Sequence, residues 1–313
     1  MAGGKRASYQ LATYQAKAGP RAGLVVGDEV FDAAKISGKP AYATVAGILA
    51  DWTKAERALR NALGGAAGVR TKSTPLAKTK LLAPLPQPPT IFCAGANYAD
   101  HAAAMARKQG MPEPADPHQQ GLKPWHFIKA ARTIADPGAT IKAADYSKEL
   151  DWEIELAAVI GRTCKDVAKD KALSYVAGYT VANDLSARDR GRRPGIEPTS
   201  FFKMDWSKHK SFDGSCPIGP WITPASEIAD PQKLGMKLWV NGALKQDSNS
   251  AKMLFTLAEQ IEQLSINMTL HPGDLILTGT PAGTGAESGE FLKAGDVVKV
   301  WIEGIGEFSN KIA

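Results

Sequence analysis

Residues 151–162 read DWEIELAAVIGR, and three of the first five are acids. In a strand, successive side chains point to opposite faces. Asp151, Glu153 and Glu155 therefore share one face, and Trp152, Ile154 and Leu156 share the other. Same-face neighbours lie roughly 6.6–7 Å apart, so two glutamates can converge on one ion. A half-exposed strand with a solvated acidic face would show the same six residues. The continuation LAAVIG is apolar on both faces, however, and that buries the strand's end. A further acid, Asp184, closes another core-like strand, GYTVAND. Crowding buried carboxylates costs on the order of several kcal/mol, and they stay charged when a cation sits among them. A hard divalent ion with oxygen ligands fits best: Mg²⁺ or Mn²⁺, with Ca²⁺ also admissible. Zinc would bring His or Cys into the shell, and neither is near in sequence.

Outward from this stretch the chain is dominated by short β patterns. TIFCAGANY, WHFIKA, LSYVAGYTVAND, GPWITP and KLWVNGALKQ all read as strands with turn signals between them. YADHAAAMARKQG reads as a helix ending at Gly110, and SAKMLFTLAEQIEQLS as another. HPGDLILTG and KAGDVVKVWIEG each begin with a Gly-Asp turn feeding a β-rich run. Residues 110–124 have no period and are expected to form a loop or lid. Upstream, SYQLATYQ and AGLVVGDEVFDAA are strand-like, and ATVAGILADWTKAERALRNAL has apolar residues at helical spacing. A Gly-rich, then basic, then Pro-rich connector follows, with Pro84, Pro86, Pro88 and Pro89 stiffening its end. The expected division is a small N-terminal unit over 1–85 and a larger one over 86–313. Strands do not alternate regularly with helices, so the fold class is mostly β with α (α+β), not a parallel α/β sheet.

Composition narrows the possibilities. The 313 residues carry a net charge of +6 and a pI near 9.1. The Lys and Arg are scattered, without a basic arm or interleaved aromatics, so nucleic-acid binding is not expected. A mildly positive field suits a small anionic metabolite. No apolar run approaches the roughly 18–20 residues a membrane span needs. MAGGKRASYQLATYQAKAG lacks the apolar stretch of a secretory signal. Cys93, Cys164 and Cys216 lie far apart with no metal-type spacing, which suits a reducing cytoplasm.

GANYADHAAAM, LDWEIELAAVIGR, AGYTVANDLSARD, HKSFDGSCPIGPWI, VNGALKQ, HPGDLILTGTPAGTG and FLKAGDVVKVWIEGIGEFSN occur in this order over roughly residues 90–312. Together they resemble the fumarylacetoacetate hydrolase family. The resemblance implies a C-terminal mixed β-roll or sandwich preceded by a small N-terminal α/β domain, and a homodimer. It implies that Glu153, Glu155 and Asp184 bind the divalent metal, in agreement with the alternation of the strand. Asp151 shares their face but is not a ligand in the family pattern.

The same resemblance gives roles to residues that are otherwise unremarkable. Arg188 is expected near substrate oxygens, where its fork suits a carboxylate. Lys210 is expected to stabilise developing oxyanion charge, and Lys129 to border the pocket as a binding residue. LTGTPAGTG reads as a tight turn on composition alone; the resemblance favours a backbone nest for a carboxylate, with Thr280 adding a hydroxyl. His101, in N-Y-x-x-H, is expected to be the base that activates water. Compact relatives carry Glu three residues later to orient this imidazole, and here that position is Ala104. Glu113, Glu287 and Glu290 are the candidate substitutes, and the sequence does not choose among them. The function implied is metal-dependent C–C bond hydrolysis of a 2,4-dioxo acid, in catabolism of aromatic compounds or sugar acids. Alternatives are an isomerase, tautomerase or decarboxylase of a 2-oxo diacid such as oxaloacetate, or a non-catalytic metal- and ligand-binding protein.

Overall fold

The computed structural model describes residues 8–64, 71–197 and 199–313. The first seven residues of the stretch tested as a secretory signal, and the Gly-rich start of the connector, lie outside the described residues. Short β-runs punctuated by turn residues build two main sheets and one two-stranded pair. In chain order these are β1 (Gln10–Ala16), β2 (Gly19–Val26), β3 (Glu29–Asp32), β4 (Ile91–Ala94), β5 (His126–Lys129), β6 (Ile154–Ile160), β7 (Val176–Asn183) and β8 (Cys216–Pro224). They continue as β9 (Gly235–Val240), β10 (Ala243–Asn249), β11 (Leu275–Leu277), β12 (Val297–Ile302) and β13 (Gly306–Ile312). The helices that matter below are α1 (Trp52–Gly64), α2 (Ala99–Lys108), α3 (Arg188–Gly191), α4 (Trp206–Lys210), α5 (Leu257–Asn267) and α6 (Gly285–Ser288).

The large sheet runs β3-β2-β1-β8-β7-β6-β11-β4-β5, antiparallel along this path except where β11 meets β4, with a short strand at Ile134–Ala135 pairing parallel to β8. The smaller one runs β10-β9-β12-β13, with a short strand at Thr140–Ile141 on its edge. The β9–β10 hairpin turns at Asn241-Gly242, whose φ angles of 52° and 82° are the positive pair a two-residue turn of this hand needs. Strand β6 explains its own composition. Ile154, Leu156, Ala158 and Ile160 pack with Met236, Leu238, Val298 and Val300 of the smaller sheet. Ala157 and Val159 pack on the other side with Leu11, Leu24, Ile48 and Trp52. Both faces are covered, so a run without alternation is what the position requires. Burying each such aliphatic side chain contributes about 1.5–3 kcal/mol, enough to anchor a strand whose start carries acids.

Two expectations change in detail. The stretch from Asp151 to Arg162 is not one strand: Leu150–Asp151 forms a short pair with Ser186–Ala187, and β6 begins only at Ile154. The helical stretch over residues 43–63 is split into Val45–Leu49 and α1. The leading unit, for its part, shares its sheet and core with the rest. Leu11 of β1 registers with Ile222 of β8, and one apolar cluster contains Tyr9, Leu24 and Trp52 together with Ile91, Ala177 and Leu275. No helix among the described residues is long and apolar enough to cross a membrane.

Candidate active site

The site forms where β6, β7, β4 and β11 present one set of ends. Glu153 stands in the gap between the two short strands. The gap is held from both sides: the Glu153 N–H donates to Asn183 Oδ1 at 3.0 Å, and Asp184 N–H donates to the Glu153 carbonyl at 2.8 Å. Gln246, wholly buried, accepts from Ile154 N–H at 3.0 Å and donates to Thr280 Oγ1 at 2.9 Å and the Pro281 carbonyl at 2.7 Å. Thus the start of β6, the end of β7 and the loop after β11 are tied into one frame.

Inside it, ligand atoms of Glu153, Glu155 and Asp184 lie within 4.8 Å of one another, and all three residues are buried. Two have cationic partners. The Lys210 ammonium bridges Glu153 Oε2 and Asp184 Oδ2, each at 2.6 Å. Arg188 donates through Nη2 to Glu153 and through Nε to Asp151 Oδ2 at 2.9 Å. Burial would raise the pKa of Glu153, but the Lys210 and Arg188 charges win and hold it well below the usual carboxylate range. Glu155 is different. It accepts Gly279 N–H at 2.6 Å and makes no ion pair among the described residues. Burial, reinforced by the Asp184 and Glu153 charges, pushes its pKa well up.

Four buried carboxylates, Asp151, Glu153, Glu155 and Asp184, thus face three cations, Lys129, Arg188 and Lys210. The acid left without a cationic partner among the described residues is Glu155, between two other acids. Such a cluster fits a divalent cation, and three hard oxygen donors without His or Cys fit Mg²⁺ or Mn²⁺.

His101 projects from the first turn of α2 into the same cavity. Its Nδ1 lies 2.5 Å from Glu287 Oε1, so of the three candidate acids the structure selects Glu287. Glu287 is itself fixed: Oε2 accepts Gly283 N–H at 2.8 Å and Oε1 accepts the Thr284 hydroxyl at 3.2 Å. Asp100 anchors the helix start. It accepts from its neighbour His101 N–H at 2.8 Å, from the Ser248 hydroxyl at 2.7 Å and from Ala282 N–H at 3.2 Å.

The Gly-rich loop does form a nest, but the protein's own acids occupy it. Gly279, Ala282 and Gly283 donate to Glu155, Asp100 and Glu287, and Gly285 and Ala286 donate to Asp151 at 2.6 and 2.9 Å. Thr280 lines the cavity, as do Arg188 and Lys210. Lys129 does not. Its ammonium is fully buried and donates to Asp184, to the Ser215 carbonyl at 2.8 Å and to the Leu185 carbonyl at 3.2 Å. It holds a metal-ligand candidate from behind and does not reach substrate space.

Sequence reasoning did not single out Gln246 or Asp100 as site builders, and it placed Asp151 on the acidic face without giving it a role. Each acts through hydrogen bonds to residues more than 30 positions away, which no local pattern announces. Trp125, Phe127, Trp206 and His209, which also line the cavity, were likewise not marked as site residues by any motif.

Residues 90–313 match the fumarylacetoacetate (FAA) hydrolase C-terminal family, and the chain belongs to that family. Among its relatives, the mitochondrial oxaloacetate tautomerase of Xenopus laevis is 40% identical over 235 residues, 74% of this chain and 68% of that protein. A Burkholderia lata protein described only as a hydrolase is 44% identical over 216 residues, 68% of this chain and 70% of its own. Among solved structures, maleylpyruvate hydrolase from Sphingobium sp. SYK-6, in complex with manganese(II) and pyruvate, superposes with a TM-score of 0.73 at 29% identity, covering 97% of this chain and 98% of that one. Fumarylacetoacetate hydrolase from Exiguobacterium antarcticum superposes with a TM-score of 0.77 at 29% identity, covering 97% and 99%. The family is enzymatic, and hydrolases, isomerases and a tautomerase stand among these neighbours.

Proposed function

We propose that the protein is a divalent-metal-dependent hydrolase that cleaves the C–C bond of a 2,4-dioxo acid into a carboxylic acid and a 2-oxo acid. The observation that carries this is the His101–Glu287 pair facing the Glu153–Glu155–Asp184 cluster across one cavity. Glu153, Glu155 and Asp184 would hold Mg²⁺ or Mn²⁺. When bound, that ion supplies Lewis-acid stabilisation of the enolate that leaves.

The chain's own groups do the rest. With Nδ1–H donated to Glu287, the His101 Nε2 lone pair is free to take a proton from water, and Glu287 stabilises the imidazolium that forms. Water oxygen joins the distal carbonyl carbon, and the Lys210 ammonium neutralises the oxyanion there. The C–C bond then breaks, and the proton on His101 returns to the departing carbon. Arg188 and Thr280 orient the substrate's carboxylate end. Lys129, donating to Asp184 from behind, holds that carboxylate in place. We extend the proposal to a homodimer: Phe201 is fully and Phe202 largely exposed, surface that a second copy would cover, and sedimentation velocity checks it.

A tautomerase acting on oxaloacetate is the second reading, favoured by the Xenopus relative. It uses the same base and metal cluster but adds no water. Turnover in H₂¹⁸O separates the two. Label in the newly formed carboxylate supports hydrolysis. Enol–keto exchange of oxaloacetate with no cleavage of any 2,4-dioxo acid, with EDTA abolishing the exchange, would establish the second reading instead.

A further inference from the structure

The cavity, of about 180 Å³, has a charged part and an aromatic part. Trp206 stacks on Phe127 with ring centroids 5.1 Å apart and on His209 at 5.6 Å, and meets Trp125 edge-on at 5.8 Å. The Lys210 ammonium lies 5.4 Å from the Phe127 centroid, so the aromatic tier begins next to the charged cluster. Trp125 and Trp206 remain 47% and 41% exposed. Large rings left open in a cavity wall are surface that a ligand covers.

Charge decides what kind of ligand. The lysine and arginine lining the cavity are Lys210 and Arg188, both already paired with Glu153 and with Asp184 or Asp151. Among the described residues, the aromatic part of the wall adds no lysine or arginine. His209 is 6% exposed, and neither ring nitrogen has a hydrogen-bond partner among the described residues. A second carboxylate placed there would lose its water without gaining a cation. A planar apolar group would lose nothing and would gain stacking.

Resting on the hydrolase reading of this site, we propose that the substrate's acyl arm is an uncharged aromatic group that stacks against Trp206 and Trp125. The substrate class is then an aryl 2,4-dioxo monoacid, not a dicarboxylic acid, and Trp206 sets that preference.

The test compares benzoylpyruvate, acetylpyruvate and succinylpyruvate as substrates of the Mn²⁺-loaded protein. The expected order of kcat/KM is benzoyl first by at least about tenfold, with the diacid last. Trp206→Ala should lower the benzoyl-to-acetyl ratio at least about tenfold, mainly through KM, and Trp206→Phe should restore most of it. A preference for the diacid overturns the inference. So does a Trp206→Ala variant that loses both activities equally or only changes its oligomeric state. If the wild type turns over none of the three, the hydrolase reading fails, and calorimetry with the same compounds still tests the subsite. Tighter benzoylpyruvate binding that Trp206→Ala removes upholds it; equal binding of all three sinks it.

Discussion

Replacing Glu287 with glutamine removes one charge and leaves the side chain's shape. Glu287 Oε1 lies 2.5 Å from His101 Nδ1, and both side chains are mostly shielded, at 13% and 15% exposure. A hydrogen bond to a charged group in such a place is worth about 1.5–3 kcal/mol. Divided by about 1.4 kcal/mol per decade, that is roughly 10–150-fold in rate if the bond strengthens as His101 takes up a proton. The upper half of the range is expected. The oxygen of the new amide would stay on Gly283 N–H, where Glu287 Oε2 now accepts at 2.8 Å. The amide nitrogen would then face Nδ1. Two donors cannot bond each other, so the imidazole must either lose the contact or move its proton to Nε2, where it can no longer accept from water. The assay is the Mn²⁺-dependent loss of enol absorbance from an acylpyruvate. Glu287→Gln should cut kcat by about a hundredfold with little change in KM. Adding Ala104→Glu, one helical turn along α2 from His101, should recover part of the loss by supplying an acid at i+3. A Glu287→Gln variant within about threefold of wild type, well short of the 10–150-fold worked above, would refute the role given to the pair.

The remaining expectations are separable from this one. Glu153→Ala should abolish the thermal stabilisation that Mn²⁺ gives the wild type, whereas Asp151→Asn should keep Mn²⁺ affinity but unfold at lower urea, because breaking a buried pair such as Asp151–Arg188 costs about 3–5 kcal/mol. Gly95→Ala should displace Trp125, whose ring lies 1.9 Å from where the new Cβ would stand; a shift in tryptophan emission and weaker binding of an aryl ligand are the readouts. The loop over 110–124 should loosen as pH rises. His118 donates to Asp116 and reaches Glu259 of α5 at 3.2 Å, and the Asp116 hydrogen bond, helped by Glu259, raises its pKa above the ordinary 6.5. A raised histidine pKa stabilises the folded loop fully below 6.5 and loses that stabilisation as pH climbs through the folded value. Amide exchange over residues 111–124 should therefore be faster at pH 8.5 than at pH 6, and equal rates, corrected for intrinsic pH dependence, would exclude this role for His118.

What the sequence makes legible follows from how locally each feature is determined. Alternation along one strand puts Glu153 and Glu155 on one face, and that holds although the strand is interrupted at Trp152–Glu153. The interruption itself has distant causes. Asp151 accepts the N–H groups of Gly285 and Ala286, and the Trp152 indole donates to the Gly283 carbonyl at 3.0 Å, so a loop more than 130 residues away pulls the strand's start out of register. Glu287 could be nominated as a partner for His101 but not chosen, because only the turn over 279–285 decides which acid returns to α2. The cations show the deeper limit. Read one at a time, Arg188, Lys129 and Lys210 each look like a group waiting for an anionic substrate. Placed together, all three also hold Asp151, Glu153 and Asp184, only Arg188 and Lys210 reach the cavity, and among the described residues Glu155 is the acid of the cluster without an ion pair. The net charge of a buried cluster is a property of the set and no single motif carries it. A divalent ion held by Glu153, Glu155 and Asp184 would give Glu155 the cationic partner it lacks.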